Sequence, residues 1–126
     1  MKLLSEQVIG CAVRVSKVLG HGFLEKVYEN AMALERRRSG IAFERQKGIE
    51  VRYDGVLVGD YTCDFLVDGK LLVELKALSR LTPEHESQVI NYLKGTGAPV
   101  GLLLNFGTSR LGIKRLVLNY EHAFPI

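Results

Sequence analysis

The sequence predicts an α/β sandwich, a mixed β-sheet flanked by helices on both faces, and three observations carry that expectation. Two segments with helical apolar spacing open the chain. A region of period-two alternation follows. A helix with strong start signals then leads into Pro99–Phe106, a run apolar on both faces. A strand of that kind, reached through a helix, crosses over to lie parallel inside the sheet with helices covering both sides.

Each element has its own reason. Ser5 can cap a first helix whose residues Val8, Ile9, Ala12, Val13, Ser16 and Leu19 fall on one side, with Arg14 and Lys17 opposite; Gly20-His21-Gly22 ends it. A second helix, from about Phe23 to Ser39, carries Leu24, Val27, Tyr28, Ala31, Leu34 and Glu35 on its inner stripe. Gly40 stands where a left-handed terminating residue belongs, and Arg36-Arg37-Arg38 suits the negative end of the helix dipole. Strands then run over Ile41–Gln46, Ile49–Tyr53, Val56–Val67 and Lys70–Ala77, divided by Lys47-Gly48, Asp54-Gly55 and Asp68-Gly69, which reads as an antiparallel meander. Thr82-Pro83-Glu84 combines a cap, a proline in the first helical position and an acid in the first turn, opening a third helix that reaches about Lys94 and stops at Gly95. A short strand over Lys114–Leu118 closes the pattern.

A chain of 126 residues, 47% hydrophobic, is long enough for one domain with a real core and too short for two, so a single domain over residues 1–126 is expected. The formal charge of +3 permits a polyanionic partner without requiring one. Glu6, Gln7, Arg14 and Lys17 interrupt the apolar first segment, which argues against a secretory core or a membrane span and for an intracellular, cytoplasmic protein. Cys11 and Cys63 lack metal-like spacing and read as small buried hydrophobes kept reduced.

The chemistry concentrates in Cys63–Lys76, where three charges sit inside two strongly apolar strands. Glu74 and Lys76 are two residues apart and share a face. Asp64 joins them only if the loop has the right parity. A two-residue turn at Asp68-Gly69 pairs Asp64 with Val73 and turns its carboxylate away. A three-residue loop over Val67-Asp68-Gly69 pairs it with Leu72 and brings all three to one side. Two carboxylates at 4 Å repel by roughly 4 kcal/mol at an effective dielectric near 20, so a half-buried pair calls for a compensating cation. The oxygen-only donor set suits Mg²⁺ or Mn²⁺ beside a phosphate, a phosphoryl-transfer layout. The bland alternative is a Glu74–Lys76 ion pair on a solvent-facing edge with Asp64 unrelated.

An acid on an early helix, an Asp in one strand, Glu-x-Lys in the next and a Gln-bearing helix afterwards resemble the PD-(D/E)XK nuclease superfamily. Gly22-Phe23-Leu24-Glu25-Lys26-Val27-Tyr28 resembles the signature of the GxxExxY family, a branch of that superfamily. Asp64-Phe65-Leu66-Val67, Val73-Glu74-Leu75-Lys76-Ala77, Gln88–Leu93 and Leu104-Asn105-Phe106-Gly107 resemble its later blocks, in order along nearly the whole chain. The resemblance implies a restriction-endonuclease-like three-layer core. It also implies a metal, Mg²⁺ or Mn²⁺, held by Asp64, Glu74 and the main-chain carbonyl of Leu75, with Glu25 reaching the cluster directly or through water. Lys76 would orient the attacking water or offset transition-state charge, and Gln88 would support the site. The implied substrate is nucleic acid, DNA before RNA, and so small a domain would act with a second copy or an accessory protein.

Beside that reading stand plainer ones. Tyr28 lies in the helical stripe and suits core packing with its hydroxyl bonded at the rim. Gly22 serves backbone geometry, and neither His21 nor His85 is assigned a metal. Arg36, Arg37, Arg38, Arg45, Lys47 and Arg52 form either a phosphate-tracking stripe or a solvated face. No aromatic interleaving signals stacking on single strands, and no recognition helix presents itself. Two functions compete: a metal-dependent nuclease, and a nuclease-like binding module that no longer cleaves.

Overall fold

The computed structural model describes residues 2–118. Its elements are α1 (Lys2–Leu19), α2 (Glu25–Arg38), β1 (Phe43–Tyr53), β2 (Val56–Val67), β3 (Leu71–Lys76), α3 (Pro83–Thr96), β4 (Val100–Asn105) and β5 (Gly112–Val117). They build a five-stranded sheet in the order β1-β2-β3-β4-β5. The meander β1-β2-β3 is antiparallel, β4 lies parallel to β3, and β5 returns antiparallel at the edge. The crossover through α3 is what makes β3 and β4 parallel. Both are buried almost throughout, as near-continuous apolar runs require.

Two cores result, one on each face. Val8, Cys11 and Val15 of α1 and Tyr28, Met32 and Ala33 of α2 pack on Phe65, Val67, Leu71, Val73, Leu75, Leu102 and Leu104. Val89, Tyr92 and Leu93 of α3 cover Ile49, Cys63, Leu66, Leu72 and Leu103 on the other face. This is the restriction-endonuclease-like three-layer arrangement.

Cys63 and Phe65 stand two residues apart yet lie in different cores. A regular strand keeps such residues on one face. The switch coincides with Gln46, whose φ is +53°, and with a gap in the β1–β2 ladder, which pairs Arg45 with Phe65 and Lys47 with Cys63 but skips Gln46 and Asp64. Beyond the switch the β1–β2 arm leans over α3. Its contact is intimate: a Cβ on Gly95 would collide with the Ile49 side chain.

Several sequence expectations are corrected. Ser5 is no cap, since α1 begins at Lys2 and Ser5 is buried inside it, where Oγ accepts a hydrogen bond from Arg115 Nη1 at 3.1 Å. The inner stripe of α2 is Tyr28, Glu29, Met32, Ala33 and Arg36, while Leu24 is 82% exposed and Val27 and Leu34 face outward. The stripe is rotated because two charged residues, Glu29 and Arg36, go inside. Lys47-Gly48 does not divide strands, because β1 runs unbroken to Tyr53. Helix α3 continues past Gly95 to Thr96 and ends on Gly97, which takes the left-handed conformation.

Candidate active site

The loop between β2 and β3 sets the site. Asp68 and Gly69 both have positive φ, and the Lys70 amide donates to the Val67 carbonyl at 3.0 Å. Lys70 is then left out of the ladder, which pairs Val67 with Leu71, Leu66 with Leu72 and Phe65 with Val73. Neither expected register is observed, because the loop falls one residue later, on Asp68-Gly69-Lys70. Asp64 therefore comes opposite Glu74 rather than Leu72 or Val73.

At that level the strands part and each carboxylate caps the other strand. The Asp64 amide donates to Glu74 Oε1 at 2.8 Å, and the Leu75 amide donates to Asp64 Oδ2 at 2.8 Å. Amides that would have joined the ladder are satisfied by side chains instead, as buried backbone donors must be. Glu74 is only 5% exposed, so the reading of a solvent-facing ion pair fails. Burial, then the charge of Asp64, pushes its carboxyl up to about 8. Asp64 is raised as well, chiefly by burial, although the Leu75 amide opposes the rise.

Glu25 begins α2 at the exposed rim. Partial desolvation and then the charge of Asp64 raise its carboxyl, and the Lys76 ammonium pulls it down. Lys76 exerts the same pull on Asp64 and Glu74. The expected residues Glu25, Asp64, Glu74 and Lys76 thus lie in one electrostatic neighbourhood. Gln88 reaches it indirectly: its amide hydrogen-bonds the Tyr92 hydroxyl, which burial and then the charge of Glu74 raise.

Two participants, Glu29 and Gln46, escaped the sequence reading. One turn after Glu25, the buried Glu29 accepts hydrogen bonds from Arg45 Nε at 2.6 Å, Lys26 Nζ at 3.1 Å and Gln46 Nε2 at 3.0 Å. Burial opposes its ionisation, but the Arg45 and Lys26 bonds outweigh that and hold its carboxyl low. Gln46 Nε2 also donates to Asp64 Oδ1 at 3.3 Å. The chain Arg45–Glu29–Gln46–Asp64 fixes one ligand candidate from behind, as outer partners of metal ligands do. Glu29 stands four residues from Glu25, and that helical spacing was the one signal available.

The segment after Lys76 is latched. Asn105 Oδ1 accepts from the Leu78 amide at 2.9 Å and the Gly107 amide at 3.1 Å, and Nδ2 donates to the Leu78 carbonyl at 3.0 Å. A Cβ on Gly107 would strike the Leu78 backbone, so glycine is needed there for close approach. At the other end of the site, the Tyr28 hydroxyl donates to the Gly20 carbonyl at 2.7 Å and accepts from the Phe23 amide at 3.3 Å, while its ring stacks on Phe106. Tyr28 packs in the core with a bonded rim hydroxyl, as expected.

The basic residues do not form one stripe, although Arg37 and Arg38 stay exposed. Arg36 is buried, Arg45 serves Glu29, and Lys47 and Arg52 pair with Glu44 and Glu50 at 3.0 and 3.1 Å. His85 Nδ1 accepts from the Thr82 amide at 3.0 Å and so completes the α3 cap. Among the described residues, no three His, Cys, Asp or Glu side chains converge as a ready-made metal cage. The donor set is smaller: two neighbouring carboxylates, each raised by its surroundings, with the Leu75 main chain between them. That set fits Mg²⁺ or Mn²⁺, which keep several waters and take one or two carboxylates.

No curated protein matches the chain in sequence. Similar folds occur among solved structures. The crystal structure of SSO0001 superposes with a TM-score of 0.57 at 16% identity over 78% of this chain, which spans about half (52%) of that protein's length. An alkaline exonuclease from Laribacter hongkongensis, LHK-Exo, gives 0.54 at 13% identity, covering 94% of this chain and 84% of its own. The same exonuclease in complex with dAMP gives 0.52 at 14% identity, covering 86% and 77%. The model of the PD-(D/E)XK nuclease superfamily matches residues 2–116, and with its strand-borne Asp64, Glu74-Leu75-Lys76 and sheet order the chain belongs to that superfamily.

Proposed function

We propose that this protein is a Mg²⁺- or Mn²⁺-dependent nuclease that hydrolyses phosphodiester bonds, of DNA before RNA, and that it falls in the GxxExxY branch of its superfamily. The observation that carries this reading is the mutual capture of Asp64 and Glu74 across diverging strands, which holds two acids together where burial raises both. Asp64, Glu74 and the Leu75 carbonyl would hold the ion, with Glu25 close enough to act directly or through water. When bound, such an ion polarises a scissile phosphate and makes hydroxide available near neutral pH.

The chain's own residues do the rest. The Lys76 ammonium orients the attacking water and offsets charge developing on the phosphorus. Gln46 and Glu29 keep the Asp64 carboxylate aimed. Gln88 supports the site from α3. That a neighbour of the same fold binds dAMP favours a deoxynucleotide substrate. Two buried thiols that form no disulfide accord with a reducing, cytoplasmic location. No described helix is long and apolar enough to cross a membrane. A homodimer or accessory protein supplies the grip that one small domain lacks.

One observation favours the second reading, a non-catalytic nucleic-acid-binding module: the acids come as a pair rather than a converging group of three. Calorimetry with Mn²⁺ on wild type, Asp64→Ala and Glu74→Ala, followed by incubation with linear, circular and single-stranded DNA, separates the two. Metal binding lost in both variants, with metal-dependent cleavage by wild type alone, supports the nuclease. Wild type that binds DNA but no metal supports the module.

A further inference from the structure

Between the leaning β1–β2 arm and α3 lies a groove of about 740 Å³, within the range of small-ligand sites. Its walls include Ile49, Val51 and Tyr61 from the arm and Gln88, Asn91 and Tyr92 from α3. The Gly95–Ile49 contact braces its floor, so the groove is built before anything enters it.

Three features describe the occupant. Tyr61 is 52% exposed, with its ring centroid 5.9 Å from that of Tyr92, so an aromatic surface is open to the groove. Gln88 Oε1 is buried and has no hydrogen-bond partner among the described residues. A buried acceptor without a donor is costly, at about 1–3 kcal/mol, and a ligand N–H removes that cost. Tyr92, which lines the groove, also packs in one core with Cys63, which precedes Asp64, and Leu72, two residues before Glu74. A planar molecule with N–H groups on its edge, tethered to a phosphate at Asp64 and Glu74, has the chemistry of a nucleobase.

We propose that this groove is a stacking subsite for one unpaired nucleotide of single-stranded nucleic acid, with the base on Tyr61 and a base-edge N–H donated to Gln88 Oε1. The inference rests on the nuclease reading and adds the substrate's form. In a duplex both faces of a base are covered by its neighbours; only an unpaired or extruded base offers one to Tyr61. Lys94 borders the groove.

The test uses the full chain carrying Asp64→Asn to prevent cleavage, with a short DNA strand containing 2-aminopurine and its blunt duplex. Quenching of 2-aminopurine and tight single-strand binding are expected. Tyr61→Ala and Tyr61→Leu should each weaken that binding roughly 10- to 100-fold and relieve the quenching, Tyr61→Phe should preserve both, and duplex binding should not change. Equal single-strand affinity in Tyr61→Ala, or no quenching in the parent, overturns the subsite while leaving the nuclease reading intact. If the protein with Asp64 restored neither binds nor cleaves any DNA or RNA, the nuclease reading fails and takes the subsite with it.

Discussion

Two buried charges, Glu74 of β3 and Arg36 of α2, have different fates. Glu74, beside Asp64, meets converging polar groups: a backbone amide, a second acid and a lysine within electrostatic reach. Arg36, on α2, meets none. It is fully buried between Phe65, 4.4 Å from the ring centroid, and Phe43, at 5.3 Å, and its three guanidinium nitrogens have no hydrogen-bond partner among the described residues. Burial lowers it to about 10. Asp64 and Phe65 are sequence neighbours, so adjacent residues of one strand serve the two regions. Burial alone therefore does not mark a site; convergence of polar partners does.

The comparison can be broken most sharply by activity. Glu74→Gln should lower metal-dependent cleavage by more than about 10³-fold, measured in single-turnover assays, while Arg36→Met leaves it unchanged. Equal losses in both would erase the distinction.

Next comes pH. Glu74 takes up its proton more readily folded than unfolded, and Asp64 and Glu25 shift the same way. The folded state then binds more protons, so metal-free stability should fall as pH rises from about 4.5 to about 8, by a few kcal/mol in total. Denaturant melts in EDTA should show this slope in wild type and a much smaller one in Glu74→Gln. Added Mn²⁺ should restore stability most at the alkaline end.

Arg36→Met should raise stability by about 1–4 kcal/mol, since it replaces an unpaired buried cation with an apolar chain between two rings. A drop in melting temperature instead would show that the stacking of Arg36 on Phe43 and Phe65 outweighs its desolvation. The smallest effect belongs to the outer partners. Gln46→Ala removes a donor shared by Glu29 and Asp64, and should weaken Mn²⁺ affinity by roughly 10-fold with little change in melting temperature.

The same contrast explains what the sequence made legible. The three-layer fold, the parallel crossover and the α3 start follow from patterns that each segment carries by itself. The sequence left the parity of the β2–β3 hairpin open, and neither of its two registers is observed, because Asp68 and Gly69 turn left-handed, expel Lys70 and set the loop a residue later. The α2 stripe was misphased because helical periodicity assigns charges to solvent, whereas Glu29 and Arg36 point inward. The switch of faces at Gln46 and Asp64 has no local signal. Without it, Ile49 and Tyr61 are not seen to meet α3, and the aromatic groove stays hidden.

The Tyr28 hydroxyl, bound to the Gly20 carbonyl and the Phe23 amide, acts as a splint across the entry to α2. It makes the interval between Gly22 and Tyr28 a fixed ruler. One residue inserted between Glu25 and Tyr28 would rotate Glu25 by about 100° around the helix axis, away from Asp64, with every side chain of the site still present.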